Sequence, residues 1–180
     1  MSKTSSSMLE SPRLQRLERL ADTQEIRDAL TRYCRGTDRC DFELAASAFY
    51  RDSTENHGPF VGTSHDFLAM VMPLLRQYEG LFRYITNLSV EFDGDKAVSE
   101  SYWVAILRDV TTDTVQAGRY LDRWERREGE WKIAARLAIC EWCRTDIRNA
   151  FPFPHEAEAI MKFAKRGLED PEVRAVIGLV

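Results

Sequence analysis

The residues able to do chemistry in this chain are few, and they are set into apolar segments. Tyr33 falls on a helix face that Ile26, Ala29, Leu30 and Cys34 mark for burial by their spacing. Asp38 follows five residues later, just past Gly36. On an unbroken helix those two side chains point ~140° apart, so they share a site only if the chain turns at Gly36. Arg83 projects from a strand face shared with Ile85 and Asn87, and Arg136 lies in the mostly apolar stretch 133–139. A buried guanidinium needs an anionic partner. The plain structural reading is an Asp38–arginine ion pair in the core. The functional reading is a bound ligand as the anionic partner. His57 stands beside Gly58 in an extended segment, where the small neighbour lets a ligand approach, so it is a candidate proton carrier.

Other chemistries lack their signatures. The three histidines, His57, His65 and His155, form no H-E-x-x-H or H-x-H, so no metal site is expected. Cys140 and Cys143 form C-x-x-C within an alternating strand, which aims the thiols at opposite faces. Buried small hydrophobes, with Cys34 and Cys40 upstream, are favoured over a zinc knuckle. The nine glycines sit at turns rather than in a phosphate loop, except Gly118, which interrupts a strand and marks a bulge or bend. No G-x-S-x-G elbow exists. Nucleotide cofactors are not indicated, and what remains is a set of polar residues inside apolar surroundings. With 25 basic against 29 acidic residues the net charge is −4, and the basic residues are scattered, which argues against nucleic-acid binding. No apolar run reaches the length of a membrane span and the N-terminus has no apolar signal core, so a cytoplasmic protein with reduced thiols is expected, with no membrane partner.

The elements that must position these residues follow from periodicity. Residues 1–10 are Ser-rich and expected to be disordered; 11–145 form one domain; 146–180 form a helical extension, a lid or an oligomer contact. Ser11-Pro12 opens a short helix and Asp22, Thr23 and Glu25 open a second, which Gly36 ends. Asp41 caps a third, with Phe42, Ala45 and Phe49 on one face. Residues 53–62 are extended and broken at Gly58-Pro59. Thr63 or Ser64 then starts a helix with Phe67, Met70, Val71, Leu74, Leu75 and Tyr78 as its stripe, kinked at Pro73. After Gly80 the period falls from 3.6 to 2. Phe82, Tyr84, Thr86, Leu88, Val90 and Phe92 take one strand face, and Asp93-Gly94 turns the chain into a meander of four strands. The class is α+β: a curved antiparallel sheet packed on N-terminal helices. Apolar residues on both strand faces imply a second copy against the outer face, in a dimer or trimer.

At these residues the chain resembles a known family. TDRCDFELAASAFYRD, then ITNLSVEFDGDKA, then GRYLDRWERREGEWKIAARLAICEW, in that order over about residues 18–145, are similar to the SnoaL-like branch of the nuclear transport factor two-like superfamily. That resemblance implies a cone-shaped sheet around a long helix, open to an apolar pocket. Members include scytalone dehydratase, hexachlorocyclohexane dehydrochlorinase and bile acid 7α-dehydratase, none of which needs a cofactor. By resemblance YCRGTD places Tyr33 and Asp38 in the pocket, Asp38 matching an aspartate that pairs with a catalytic histidine. Arg136, five residues after Trp131, looks like a pocket arginine. Tyr120, Trp103 and Ala105 match wall positions, and Ala138 and Cys140 share the parity of Arg136. Phe49 completes an aromatic wall, and His57 falls where a relative has a pocket tyrosine. The family histidine is replaced: Arg83 stands where the dehydrochlorinase has it and Ile85 where the bile acid enzyme has it.

The implied function is a cofactor-independent lyase for a small apolar or aromatic substrate, eliminating water or cleaving a C–C bond with loss of formaldehyde. Asp38 would serve as acid/base or orienting carboxylate, Tyr33 would hydrogen-bond the developing oxygen, Arg83 and Arg136 would stabilise anionic character, and His57 would be the reserve base. Ile85, Asn87, Ala105, Ala138, Cys140, Trp103, Tyr120 and Phe49 would line the substrate. The alternatives are a non-catalytic ligand-binding domain, a β-type subunit of a ring-hydroxylating dioxygenase, and a polyketide cyclase or isomerase.

Overall fold

The computed structural model describes the backbone of residues 4–148 and the side chains of 12–148. The expected C-terminal helix lies outside the described residues. Helix α1 runs unbroken over Thr4–Arg39 with Pro12 inside it, where the sequence predicts disorder up to residue 10 and two separate helices beyond it. Its buried stripe, Ile26, Ala29, Leu30, Tyr33, Cys34 and Thr37, keeps the spacing i, i+3, i+4, i+7, i+8, i+11. Gly36 does not stop the helix. A Cβ there would lie 2.4 Å from the Ala45 amide nitrogen, so the glycine serves the close crossing of the next helix. The turn comes at Cys40, which takes φ +54.

Helix α2 is a single turn, Phe42–Ala46, whose N-cap Asp41 accepts from the Leu44 amide at 3.0 Å. Phe49 does not continue it but opens strand β1 (Phe49–His57), which turns at Gly58 (φ +66) into β2 (Phe60–Thr63). Thr63 caps α3 (Ser64–Leu75). The expected stripe of α3 is only partly buried: Phe67 and Leu75 face inward, joined by Leu68 and Met72 from outside that stripe, while Met70 and Leu74 are about half exposed. Four long strands follow: β3 (Gly80–Asp93), β4 (Lys96–Arg108), β5 (Thr112–Arg127) and β6 (Glu130–Ile147).

The sheet is mixed rather than wholly antiparallel. Its order is β2-β1-β6-β5-β4-β3, with β1 parallel to β6 and every other pair antiparallel. It is curved and unclosed, and α1 covers its inner face. Bulges set which residues face inward. One extra residue in β3 between Ile85 and Leu88 flips the alternation. Leu81, Arg83 and Ile85 therefore share the inner face with Leu88, Val90 and Phe92, whereas Phe82 and Tyr84 face out. Asn87 sits at the bulge and is exposed, so it does not join Arg83 and Ile85. Bulges in β6 opposite Ala117/Gly118 and Arg123/Trp124 do the same there. At Gly118 a Cβ would come within 1.9 Å of the Ile139 carbonyl oxygen and 2.8 Å of the Trp103 ring, which accounts for the glycine the sequence singles out. Among the described residues no helix is long and apolar enough to cross a membrane.

Candidate active site on the inner face

Strand register lays the site out as a lattice. One row across the sheet reads Glu55, Arg136, Asp122, Ser99, Val90; the next reads His57, Ala138, Tyr120, Ser101, Leu88. Beyond them come Cys140, Gly118, Trp103, Ile85, and then Cys143, Gln116, Ala105, Arg83. Small residues, Ala138, Ser101, Gly118 and Ala105, therefore alternate with large polar or aromatic ones. Helix α1 lays Tyr33 and Thr37 against this lattice. Tyr33 meets Phe49 edge-on at 5.6 Å between centroids and Tyr120 at 5.8 Å, and Trp103 stacks on Tyr120 at 5.6 Å.

Arg136 is engaged at depth. Its Nε and Nη2 donate to the two oxygens of Asp122 at 2.7 and 2.8 Å, and both side chains are fully buried. Three rings surround the guanidinium: Tyr120 at 4.0 Å, Tyr33 at 4.5 Å and Phe49 at 5.2 Å. Burial works against the Arg136 charge, but the Asp122 carboxylate outweighs it and keeps the guanidinium protonated. The expected buried pair thus exists, with Asp122 and not Asp38 as the anion. Nη1 of Arg136 and Nε1 of Trp103 are buried with no acceptor among the described residues.

Arg83 is the second cation. Its backbone amide donates to Asp38 Oδ2 at 3.0 Å, its guanidinium donates to the Thr37 hydroxyl, and it lies 5.6 Å from the Tyr33 ring centroid. Asp38 and Tyr33 therefore meet at Arg83 without any break at Gly36, because α1 continues and presents Thr37 between them. Burial again opposes the charge, and Tyr120, Tyr33, Cys34 and Asp38 together raise the Arg83 pKa above its ordinary value. Burial raises the phenols of Tyr33 and Tyr120, Tyr120 the more, so both stay protonated donors against the opposing pull of the arginines. Burial also pushes the Cys34 thiol up to about 11.

His57 completes the set. Its ring stacks on Phe67 at 4.3 Å and lies 6.4 Å from the Tyr120 ring, with the side chain 31% exposed. Its Nδ1 lies 3.0 Å from Glu55 Oε1. Glu55 is 1% exposed, and its Oε2 accepts from the Ser64 hydroxyl at 3.3 Å.

Tyr33, Arg83, Arg136, His57, Tyr120, Trp103, Phe49, Ile85, Ala105 and Ala138 thus share the inner face, and Asp38 borders it through Arg83. Asn87 is outside it, for the reason of the bulge. Cys140 keeps the parity of Arg136 but is exposed near the open end of β6. Register puts it on the same face as Cys143, because the bulge between them takes up one residue, and not on opposite faces as simple alternation implies. Sequence reasoning misses Glu55, Asp122, Thr37 and Ser64. Two of them leave a signal: Asp122 has the parity of Tyr120 and Trp124, and Glu55 that of His57. Among the described residues no group of three or more His, Cys, Asp or Glu could hold a metal ion.

The arrangement defines a class: a curved sheet whose concave face, closed by a helix, carries charged groups among rings. The sequence profile of the SnoaL-like domain matches residues 18–137, two thirds of the chain, and the protein belongs to that family. No curated protein matches it significantly by sequence. Solved structures share the fold. A hexachlorocyclohexane dehydrochlorinase of Novosphingobium barchaimii is 22% identical over 77% of this chain and 99% of its own, with a TM-score of 0.67. A scytalone dehydratase-like protein of Novosphingobium aromaticivorans is 19% identical over 84% and 95%, at 0.64. A Mycobacterium tuberculosis protein of unknown function is 22% identical over 89% and 87%, at 0.62.

Proposed function

We propose that this protein is a cofactor-independent lyase that eliminates water, or cleaves a C–C bond with loss of formaldehyde, from a small apolar or aromatic substrate held on the inner face of the sheet. The observation that carries this reading is the Arg83 cradle. A half-buried guanidinium donates to Thr37 and stands over Tyr33, its backbone amide is held by Asp38, and a second protonated phenol, Tyr120, lies against that ring. Such a cluster stabilises oxygen that becomes negative as a bond to carbon breaks, and does so in surroundings poor in water, where a fixed donor is worth most. Trp103, Phe49 and Ile85 supply the apolar contacts that would hold a ring. In this reading Asp38 positions Arg83 rather than acting on substrate, since its Oδ2 is taken by the Arg83 amide. The fold relationship to a dehydrochlorinase and a dehydratase-like protein is consistent with elimination as the reaction type.

The test is a panel of small aromatic and cyclic compounds bearing a hydroxyl or hydroxymethyl leaving group, incubated with the purified chain and followed by mass spectrometry. Turnover without added cofactor is expected for at least one, and Arg83→Ala should lower kcat by about 10²–10³. Asp38→Asn should lower it less, because a neutral amide oxygen still accepts from the Arg83 amide. Arg83→His separates a generic cation from a specific donor: retained turnover would mean the arginine only replaces a lost histidine. A variant Arg83→Ala as fast as the parent protein would overturn the reading.

A further inference from the structure

We propose that the base of this site is the His57 imidazole, oriented by a buried Glu55, so that a Glu55–His57 pair on β1 replaces the aspartate–histidine pair that the family resemblance leads one to expect at Asp38 and residue 83. The inference rests on the lyase reading above and assigns its proton acceptor. Glu55 and His57 are two residues apart on one strand and so point to one face. Both Glu55 oxygens are engaged, Oε1 by His57 Nδ1 at 3.0 Å and Oε2 by the Ser64 hydroxyl at 3.3 Å. A carboxylate only accepts, so Nδ1 of the neutral ring carries the hydrogen and Nε2 the lone pair. Among the described residues no hydrogen bond engages Nε2. The ring cannot rotate freely, because it lies flat on Phe67 at an interplanar angle of 15°.

The surroundings of the imidazole favour chemistry over mere packing. Glu55 from β1, Phe67 from α3 and Tyr120 from β5 contact or face it, Ser64 of α3 holds the far oxygen of Glu55, Ala138 of β6 is its register neighbour, and Arg136 lies beside Glu55 across the β1–β6 pair. Ala138 is small and Gly58 adds no side chain, so the exposed edge of the ring is open to a ligand. Contacts run from His57 to Tyr120, from Tyr120 to Tyr33, and from Tyr33 to Arg83, which places the proton acceptor and the guanidinium at opposite flanks of one aromatic pair. In an elimination the base serves the carbon that loses its proton and the donor the atom that gains the electrons, and these are the roles assigned to His57 and Arg83.

A generic probe tests this without knowledge of the natural substrate. In 5-nitrobenzisoxazole, Nε2 would take the C3 proton, the C–H electrons would become the third C≡N bond, and the N–O bond would break with its electron pair left on the phenolate oxygen. The imidazolium then returns its proton to water, so the balance is an isomerisation that needs no co-reactant. The parent protein is expected to open this ring about 10²-fold faster than His57→Ala, with free imidazole restoring part of the loss. Glu55→Gln should lower kcat with KM little changed, and ¹⁵N NMR of His57 should show loss of the single Nδ1–H tautomer. His57→Gln, which fills similar space, guards against a folding defect, and circular dichroism checks all variants. Equal rates for the parent protein and His57→Ala would overturn the assignment. So would a loss in His57→Ala that imidazole fails to restore and His57→Gln does not share. If His57→Ala matches the parent while Arg83→Ala is slower, the lyase reading survives with another base. If all three match imidazole in solution, both fall.

Discussion

Arg119 and Asp122 lie three residues apart on β5, yet the ion pairs they form belong to different physical regimes. On the outer face Arg119 bridges Glu100 at 2.9 Å and Glu141 at 2.5 Å, and all three side chains are about 30–40% exposed. On the inner face Asp122 holds Arg136 through two bonds with no exposure on either side chain. The residue types and distances are alike and only water differs. Exposed pairs trade hydration for a screened attraction and contribute little. The buried pair has given up its hydration entirely, so each partner is tolerated only because the other is there. The inner face has therefore committed its charges to fixed positions, which is the condition for using them on a substrate. The outer face, with Phe82, Tyr84, Val98 and Trp142 about half exposed beside its ion pairs, has made no such commitment.

That contrast can be broken by mutation. Arg136→Met leaves Asp122 buried without a counter-charge and is expected to destabilise the fold by about 3–5 kcal/mol in urea unfolding, with part of the loss recovered when Asp122→Leu is added. A loss no larger than that of an outer-face arginine would show that water reaches the pair and that the inner face is not a dry site. Gly118→Ala comes next. It drives a methyl group into the Ile139 carbonyl at the bulge that aims the end of β6, and an effect of about 1–3 kcal/mol is expected from the strain. Arg119→Ala is the smallest: the urea midpoint should stay where it is within error.

The class of fold was legible in the sequence because it depends on local periodicity. The helical spacing of Ile26 to Cys34, the switch to alternation after Gly80 and the turn at Asp93-Gly94 each report on neighbours a few residues apart. The errors arose where one residue breaks the count. The bulge after Ile85 moved Asn87 off the inner face, and the bulge at Glu141 put both cysteines of the C-x-x-C on one face. Gly36 looked like a helix end because a glycine at a close helix crossing and a glycine at a cap carry the same letter. Pairing was the harder matter. Arg136 announced that it needed an anion, but nothing local chose between Asp38 and Asp122.

By itself the sequence determined which polar side chains stand in segments whose periodicity demands burial, Tyr33 on its helix stripe and Arg136 in its apolar strand, and it singled out Arg83 and His57 without fixing their faces. Only the tertiary structure decided what each would face. Parallel pairing of β1 with β6 sets Glu55 beside Arg136 and His57 beside Ala138, and antiparallel pairing of β5 with β6 sets Asp122 opposite Arg136. Those are contacts between segments far apart in the chain, set by sheet register and bulges, and register follows from the packing of the whole sheet against α1 rather than from the preference of any one residue.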